Sequence, residues 1–190
     1  MRSICIILIL ILSYILSACN NSNDKMQEKI QQMRSMSISI PYNKMECWSN
    51  DYLSSINRYE HTKLKLVHYV DSAQCTTCYL QSVMQDGRLL NMEKQTKNKF
   101  VNIFIIEPSP RRKQSLSSDY KNNLLPQVIL VDTAHVFMGK NKLPSETMYH
   151  TFLLDENNKI ILVGNPLTNK KIEGMILSLI EKELGEKVHI

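Results

Sequence analysis

The chain has no second close pair of cysteines, no basic run longer than three residues, no internal repeat and no apolar run long enough to cross a bilayer. Each shortage narrows the functions open to it. Of five cysteines, Cys5, Cys19 and Cys47 stand alone, and only Cys75 and Cys78 lie at CxxC spacing. A zinc site built on that pair would need two more ligands. These would have to come from Cys19, Cys47 or the scattered His61, His68, His135, His150 and His189, without the paired spacing that such sites use. Basic residues exceed acidic ones by five, yet the densest cluster is only Arg111-Arg112-Lys113, which reads as a solvated helix start or loop. Nothing in that pattern asks for nucleic acid. The apolar stretch from Ile4 to Leu12, extended through Ser13 to Leu16, falls short of the roughly 20 residues of a membrane-spanning helix.

That stretch follows Met1-Arg2 and is followed by Leu16-Ser17-Ala18-Cys19, the layout of a cleaved export signal. The tetrapeptide resembles the bacterial lipobox, which implies cleavage after Ala18 and acylation of Cys19. Two or more acyl chains suffice for a stable membrane anchor. Cys5 and the single charge of Arg2 leave with residues 1–18, and an ordinary signal peptide with a chance cysteine is the plainer alternative. Residues 19–45 then read as lipidated cysteine and tether. Asn20 to Asp24 form a polar spacer, Met26, Ile30 and Met33 mark a short amphipathic helix, and Ser37 to Ile40 form a strand that stops at Pro41. Residues 46–190 are long enough for one domain with its own core.

The domain is organised around Lys65-Leu66-Val67-His68-Tyr69-Val70, an apolar run with β-branched and aromatic residues that reads as a buried strand. It stops at Asp71-Ser72, and Cys75-Thr76-Thr77-Cys78 opens a helix. First-turn N–H groups have no intrahelical partner and carry the positive end of the helix dipole. A Cys75 thiolate there is stabilised, while Cys78, one turn on and expected to be shielded by neighbouring side chains, can resolve a mixed disulfide. Spacing alone leaves three readings open: half of a zinc site, an inert structural disulfide, or a redox pair. Cys47 is the odd thiol of an exported chain, placed with Trp48 in a loop or turn near Ser49-Asn50-Asp51. It reads as a small buried apolar residue or a third redox group.

Further along, Tyr79, Leu80, Val83 and Met84 keep helical spacing until Asp86-Gly87 interrupts it before Leu89-Leu90. Phe100 to Ile106 is a second buried strand. Glu107-Pro108-Ser109-Pro110 stops it, with Ser109 at an N-cap and Pro110 at the first helical position. Leu116, Tyr120 and Leu124 line the helix that follows. Gln127 to Asp132 is a third strand, and Ala134 to Lys142 is a short helix or irregular. Thr151 to Asp155 and Lys159 to Gly164 flank a Glu156-Asn157-Asn158 turn as a hairpin. Ile172, Met175, Ile176, Leu179, Ile180 and Leu184 form the apolar face of a last helix. Strands alternating with helices, then a hairpin, predict an α/β domain with a mixed central sheet and helices on both faces.

From Lys65 to Leu184 this pattern resembles the thioredoxin superfamily, especially envelope thiol-disulfide oxidoreductases and redoxin-type lipoproteins of Bacteroides-type bacteria. Val67-His68-Tyr69-Val70 before the cysteines is similar to the family's first core strand. The Thr-Phe-Leu-Leu-Asp run from Thr151 is similar to its closing hairpin, before the C-terminal helix. The resemblance implies that Cys75 and Cys78 are the catalytic pair, joined as a disulfide when oxidised. It implies no cofactor and no metal, exported thiols or disulfides and an upstream membrane electron donor as partners, and a place in the cell envelope. A peroxidase is disfavoured, since no Pro-x-x-x-Thr-x-x-Cys precedes either cysteine. Two departures stand out. Gln74 precedes the first cysteine where many relatives have Trp, and Tyr149 or His150 occupies the place of the usual cis-proline, so that peptide is expected to be trans. His150 is then an auxiliary candidate, as a base or cation acting on Cys75, or a surface residue beside the hairpin. Thr76-Thr77 places neither His nor charge between the cysteines, which disfavours a strong oxidant. The alternative function is a binding scaffold whose cysteines are structural or vestigial.

Overall fold

The computed structural model describes residues 23–49, 52–122, 125 and 128–189. The export segment 1–18, Cys19, residues 20–22, Leu124 and Gln127 lie outside the described residues. Two central strands, β2 (Leu64–Val70) and β3 (Phe100–Ile106), are buried at all seven positions each. Near-continuous apolar sequence is what a strand covered on both faces requires. They run parallel with Val67 opposite Ile103. Beyond β3 lie the short parallel strand β4 (Ile129–Val131) and, antiparallel to it at the edge, β1 (Glu46–Trp48). On the other side β5 (Thr151–Leu154) runs antiparallel to β2, with Val67 opposite Phe152, and β6 (Ile160–Val163) closes the hairpin. The sheet order is β1-β4-β3-β2-β5-β6, so the expected mixed α/β sheet is present.

Side chains alternate across β2. Leu64, Leu66 and Val70 join a core under α3 (Thr76–Asp86), α4 (Arg88–Gln95), α5 (Pro110–Lys121) and α7 (Lys170–Leu184). These helices contribute Leu80, Val83, Met92, Leu116, Ile176 and Ile180. Val67 and Tyr69 face the opposite core, covered by α1 (23–34), α2 (Tyr52–His61) and α6 (Val136–Asn141) through Met33, Tyr59 and Phe137. Ile38, Ile40 and Met45 are buried in that second core, so residues assigned on sequence to the tether pack on the domain.

Several local expectations change. Asn23 and Asp24 are helical rather than spacer. The 37–40 segment makes only one isolated bridge, Ser37 to Lys159, and is not a strand. Cys47 and Trp48, expected in a loop, pair with Leu130 and Ile129 because the edge of β4 was open to a short antiparallel partner. Cys47 is a free, half-buried thiol whose pKa burial raises. Ser109 and Pro110 hold the predicted positions at the start of α5, although the Ser109 side chain makes no cap bond. Gly87 explains the break after Asp86. Its φ of +69° ends α3 and starts α4 in one residue, a conformation costly for any side chain with a Cβ.

Candidate active site

Cys75 is the N-cap of α3, and its carbonyl accepts the first helical bond from the Tyr79 N–H at 3.0 Å. Thr76, Thr77 and Cys78 therefore occupy the first turn, where amides have no partner within the helix. Cys75 and Cys78 are joined as a disulfide with Cα atoms 5.4 Å apart. Both cysteines are exposed. The expected shielding of Cys78 is absent because the third residue of a surface helix start points outward here. Any difference between the two thiols must come from helix position and neighbours.

The approach from β2 to Cys75 is organised by Asp71. Its Oδ1 accepts the N–H groups of Ala73 at 2.9 Å and Gln74 at 3.2 Å. Such an Asx turn replaces the strand ladder just as the ladder ends. Arg112 at the start of α5 donates from Nη1 to the Gln74 carbonyl at 2.7 Å, and Thr77 donates to Asp119 at 3.2 Å. The pair is thus fixed by β2, the 71–74 turn and α5 together.

His150 enters because β5 pairs with β2. The Tyr69 N–H donates to the His150 carbonyl at 2.9 Å, which brings the 147–150 turn beside the end of the cysteine-bearing strand. The side chain is 2% exposed, which removes the surface reading. Its Nε2 lies 2.9 Å from the Pro144 carbonyl, which can only accept, so Nε2 carries a hydrogen. Nδ1 is buried without a hydrogen bond and sits 3.5 Å from Asp71 Oδ2, within ion-pair range but beyond a good hydrogen bond. Neither nitrogen bonds a cysteine sulfur. His150 reaches Cys75 only through Asp71 and its turn. Tyr149, the other auxiliary candidate, is buried in the second core with Lys29 Nζ 5.7 Å from its ring centroid, and is not connected to the cysteines. Among the described residues no peptide bond is cis.

A second histidine lies beneath the pair. His68 on β2 is fully buried and stacks on Phe104 with centroids 4.8 Å apart. Tyr79, the residue after Cys78, places its hydroxyl 2.7 Å from Nδ1, and Asn102 Oδ1 lies 3.4 Å from Nε2. Desolvation pushes the imidazole pKa down to about 4 and the Tyr79 phenol up to about 12. Alongside, Tyr69 donates to Glu107, which also meets His135 Nδ1 at 2.8 Å. Asp71, Arg112 and His68 were not singled out on sequence as site residues. An Asp closing a strand before a helix start was a readable signal for Asp71, but Arg112 is joined to Gln74 across 38 residues by folding alone. Among the described residues, no three His, Cys, Asp or Glu side chains are placed to hold a metal ion.

A parallel core pair, a CxxC disulfide at the helix start after β2, and an antiparallel closing hairpin make this a thioredoxin-like fold, the frame of thiol-disulfide oxidoreductases. No family model and no curated protein matches the chain. Solved structures similar to it include the pneumococcal exposed lipoprotein thioredoxin Etrx1 from Streptococcus pneumoniae. That match has 16% identity and a TM-score of 0.44, and covers 65% of this chain and 88% of that one. A thioredoxin-like protein from Bacteroides caccae matches at 11% identity and a TM-score of 0.46, over 84% of this chain and 55% of that one. A thioredoxin-like protein from Porphyromonas gingivalis matches at 13% identity and a TM-score of 0.43, over 67% of this chain and 79% of that one.

Proposed function

We propose that the protein is a thiol-disulfide oxidoreductase acting on exported proteins from a lipid anchor at Cys19. One observation supports the chemistry most directly: an exposed disulfide whose first sulfur belongs to the N-cap residue of α3. In the reduced protein the Cys75 thiolate attacks one sulfur of a partner disulfide. A Cys75–partner bond forms, the partner's S–S bond breaks, and its second sulfur leaves as thiolate and takes a proton. The Cys78 thiolate then attacks the Cys75 sulfur, closing the Cys75–Cys78 bond and releasing the partner's first thiol. The partner gains two electrons and the pair loses two. An upstream dithiol donor in the membrane returns them. The reverse sequence oxidises a partner dithiol, and the direction depends on the relative potentials.

The test is trapping. A Cys78→Ser variant expressed in cells should accumulate mixed disulfides with discrete exported proteins, and Cys75→Ser should accumulate none. No adducts with the first variant would leave the scaffold reading in its place. The anchor is supported by Leu16-Ser17-Ala18-Cys19 behind the apolar run. Wild type should partition into a detergent phase and Cys19→Ser should not, and equal partitioning would remove the lipid.

A further inference from the structure

Beside Cys75 lies a cleft of about 240 Å³ between the first turn of α3 and α5, lined by Cys75, Pro108, Arg112, Ser115 and Leu116, with Thr76 and Thr77 at its edge. It is smaller than the usual small-molecule pocket and fits one side chain. Pro108 and Leu116, both largely buried, form its apolar side. No carboxylate lines it. Two acids lie close by: Asp119 accepts the hydroxyl of Thr77, itself a lining residue, and Glu46 pairs with Lys113. Arg112 is the one charged group in the cleft. Its Nη1 donates to the carbonyl of the residue before Cys75, which holds the exposed guanidinium against the Cys75 turn and pre-organises it. Among the described residues the other guanidinium N–H groups of Arg112 meet no hydrogen-bond partner.

We propose that this cleft is a subsite for an acidic residue flanking the cysteine that Cys75 attacks. The methylenes of a glutamate lie against Pro108 and Leu116, and its carboxylate meets the free edge of the Arg112 guanidinium. The preferred partners are therefore exported proteins whose disulfides carry Asp or Glu beside the attacked cysteine. This rests on the oxidoreductase reading and adds a substrate class to it.

The probe is a pair of disulfide-cyclised peptides, identical except for Glu or Gln on both sides of the attacked cysteine. Their reduction is followed with the reduced full-length protein at low ionic strength. The Glu peptide should exchange about fivefold faster, the upper end for an exposed ion pair. Salt at about 0.5 M should shrink that ratio towards one. Arg112→Gln should bring the ratio to about one even at low salt. Arg111→Gln, an exposed neighbour outside the cleft, should leave it unchanged. The ratio cancels any general effect of Arg112 on Cys75 reactivity. Equal rates for the two peptides with wild type, or an unchanged ratio in Arg112→Gln, overturn the subsite while leaving the oxidoreductase intact. No exchange with either peptide overturns both.

Discussion

Two buried histidines flank the cysteine turn, and they are buried on different terms. His68 has both nitrogens committed. Nε2–H donates towards Asn102 Oδ1 and Nδ1 accepts the Tyr79 hydroxyl, while the ring lies on Phe104. Asn102 is in turn fixed through Leu89 O and Glu93 at 3.0 Å each. His150 has one nitrogen on a carbonyl and the other facing a carboxylate without a hydrogen bond. The first arrangement is a satisfied core residue held neutral. The second leaves a buried nitrogen open beside the residue that shapes the Cys75 turn. Burial alone therefore says little about what a histidine does; the account of its two nitrogens says more.

The comparison can be broken at either histidine. His68→Ala should have the largest effect, destabilising by about 3 kcal/mol in urea unfolding at pH 7. It removes a fully packed ring and takes one hydrogen-bond partner each from Tyr79 and Asn102. An equal cost for His150→Ala would contradict the distinction. The sign of the pH dependence sharpens it. A histidine whose folded pKa is depressed to about 4 binds its proton first in the unfolded chain, whose value is near 6.5. Its contribution is complete above about pH 6.5 and is lost as pH falls from there to about 4, by up to about 3 kcal/mol. Unfolding free energies measured from pH 7 to 4 should show that loss in wild type and a shallower one in His68→Phe. Equal slopes would mean that His68 is not held neutral. His150→Ala should cost less, about 1–2 kcal/mol, for the Pro144 bond and the edge contact with Tyr69. It should also slow alkylation of reduced Cys75 a few-fold, because the ring packs beside the Asp71 carboxylate that shapes the Cys75 turn. Unchanged alkylation would make His150 purely structural.

The sheet was legible because its central strands are long apolar runs, and the CxxC stood out because it follows one of them after a short turn, at a helix start. The edge was not legible. β1 has only three residues, and its pairing with β4 joins segments more than eighty residues apart. In helix α2 the apolar positions Tyr52, Ile56 and Tyr59 do recur at helical spacing, but over so short a stretch that the signal is weak; Ile56 and Tyr59 pack on the second core. At the site, the two cysteines and His150 could be named from sequence. The link between them could not, because it runs through Asp71 and the β2–β5 register, which sets His68 opposite Thr151. The exposure of Cys78 was hidden too. Helical spacing places it one turn on from Cys75 but does not say which way that turn faces.

The central claim is that Cys75 is the nucleophile, and the order of thiol alkylation tests it most directly. The full-length protein is reduced, treated with limiting iodoacetamide at pH 7 and digested, and the label on each cysteine is quantified. Both cysteines are exposed, so a strong preference for Cys75 reports thiolate stabilisation at the N-cap rather than burial of Cys78. The account predicts that Cys75 is labelled well ahead of Cys78, and both ahead of half-buried Cys47, whose pKa is raised by desolvation. Labelling of Cys47 first, or of Cys75 and Cys78 at equally slow rates, would contradict it.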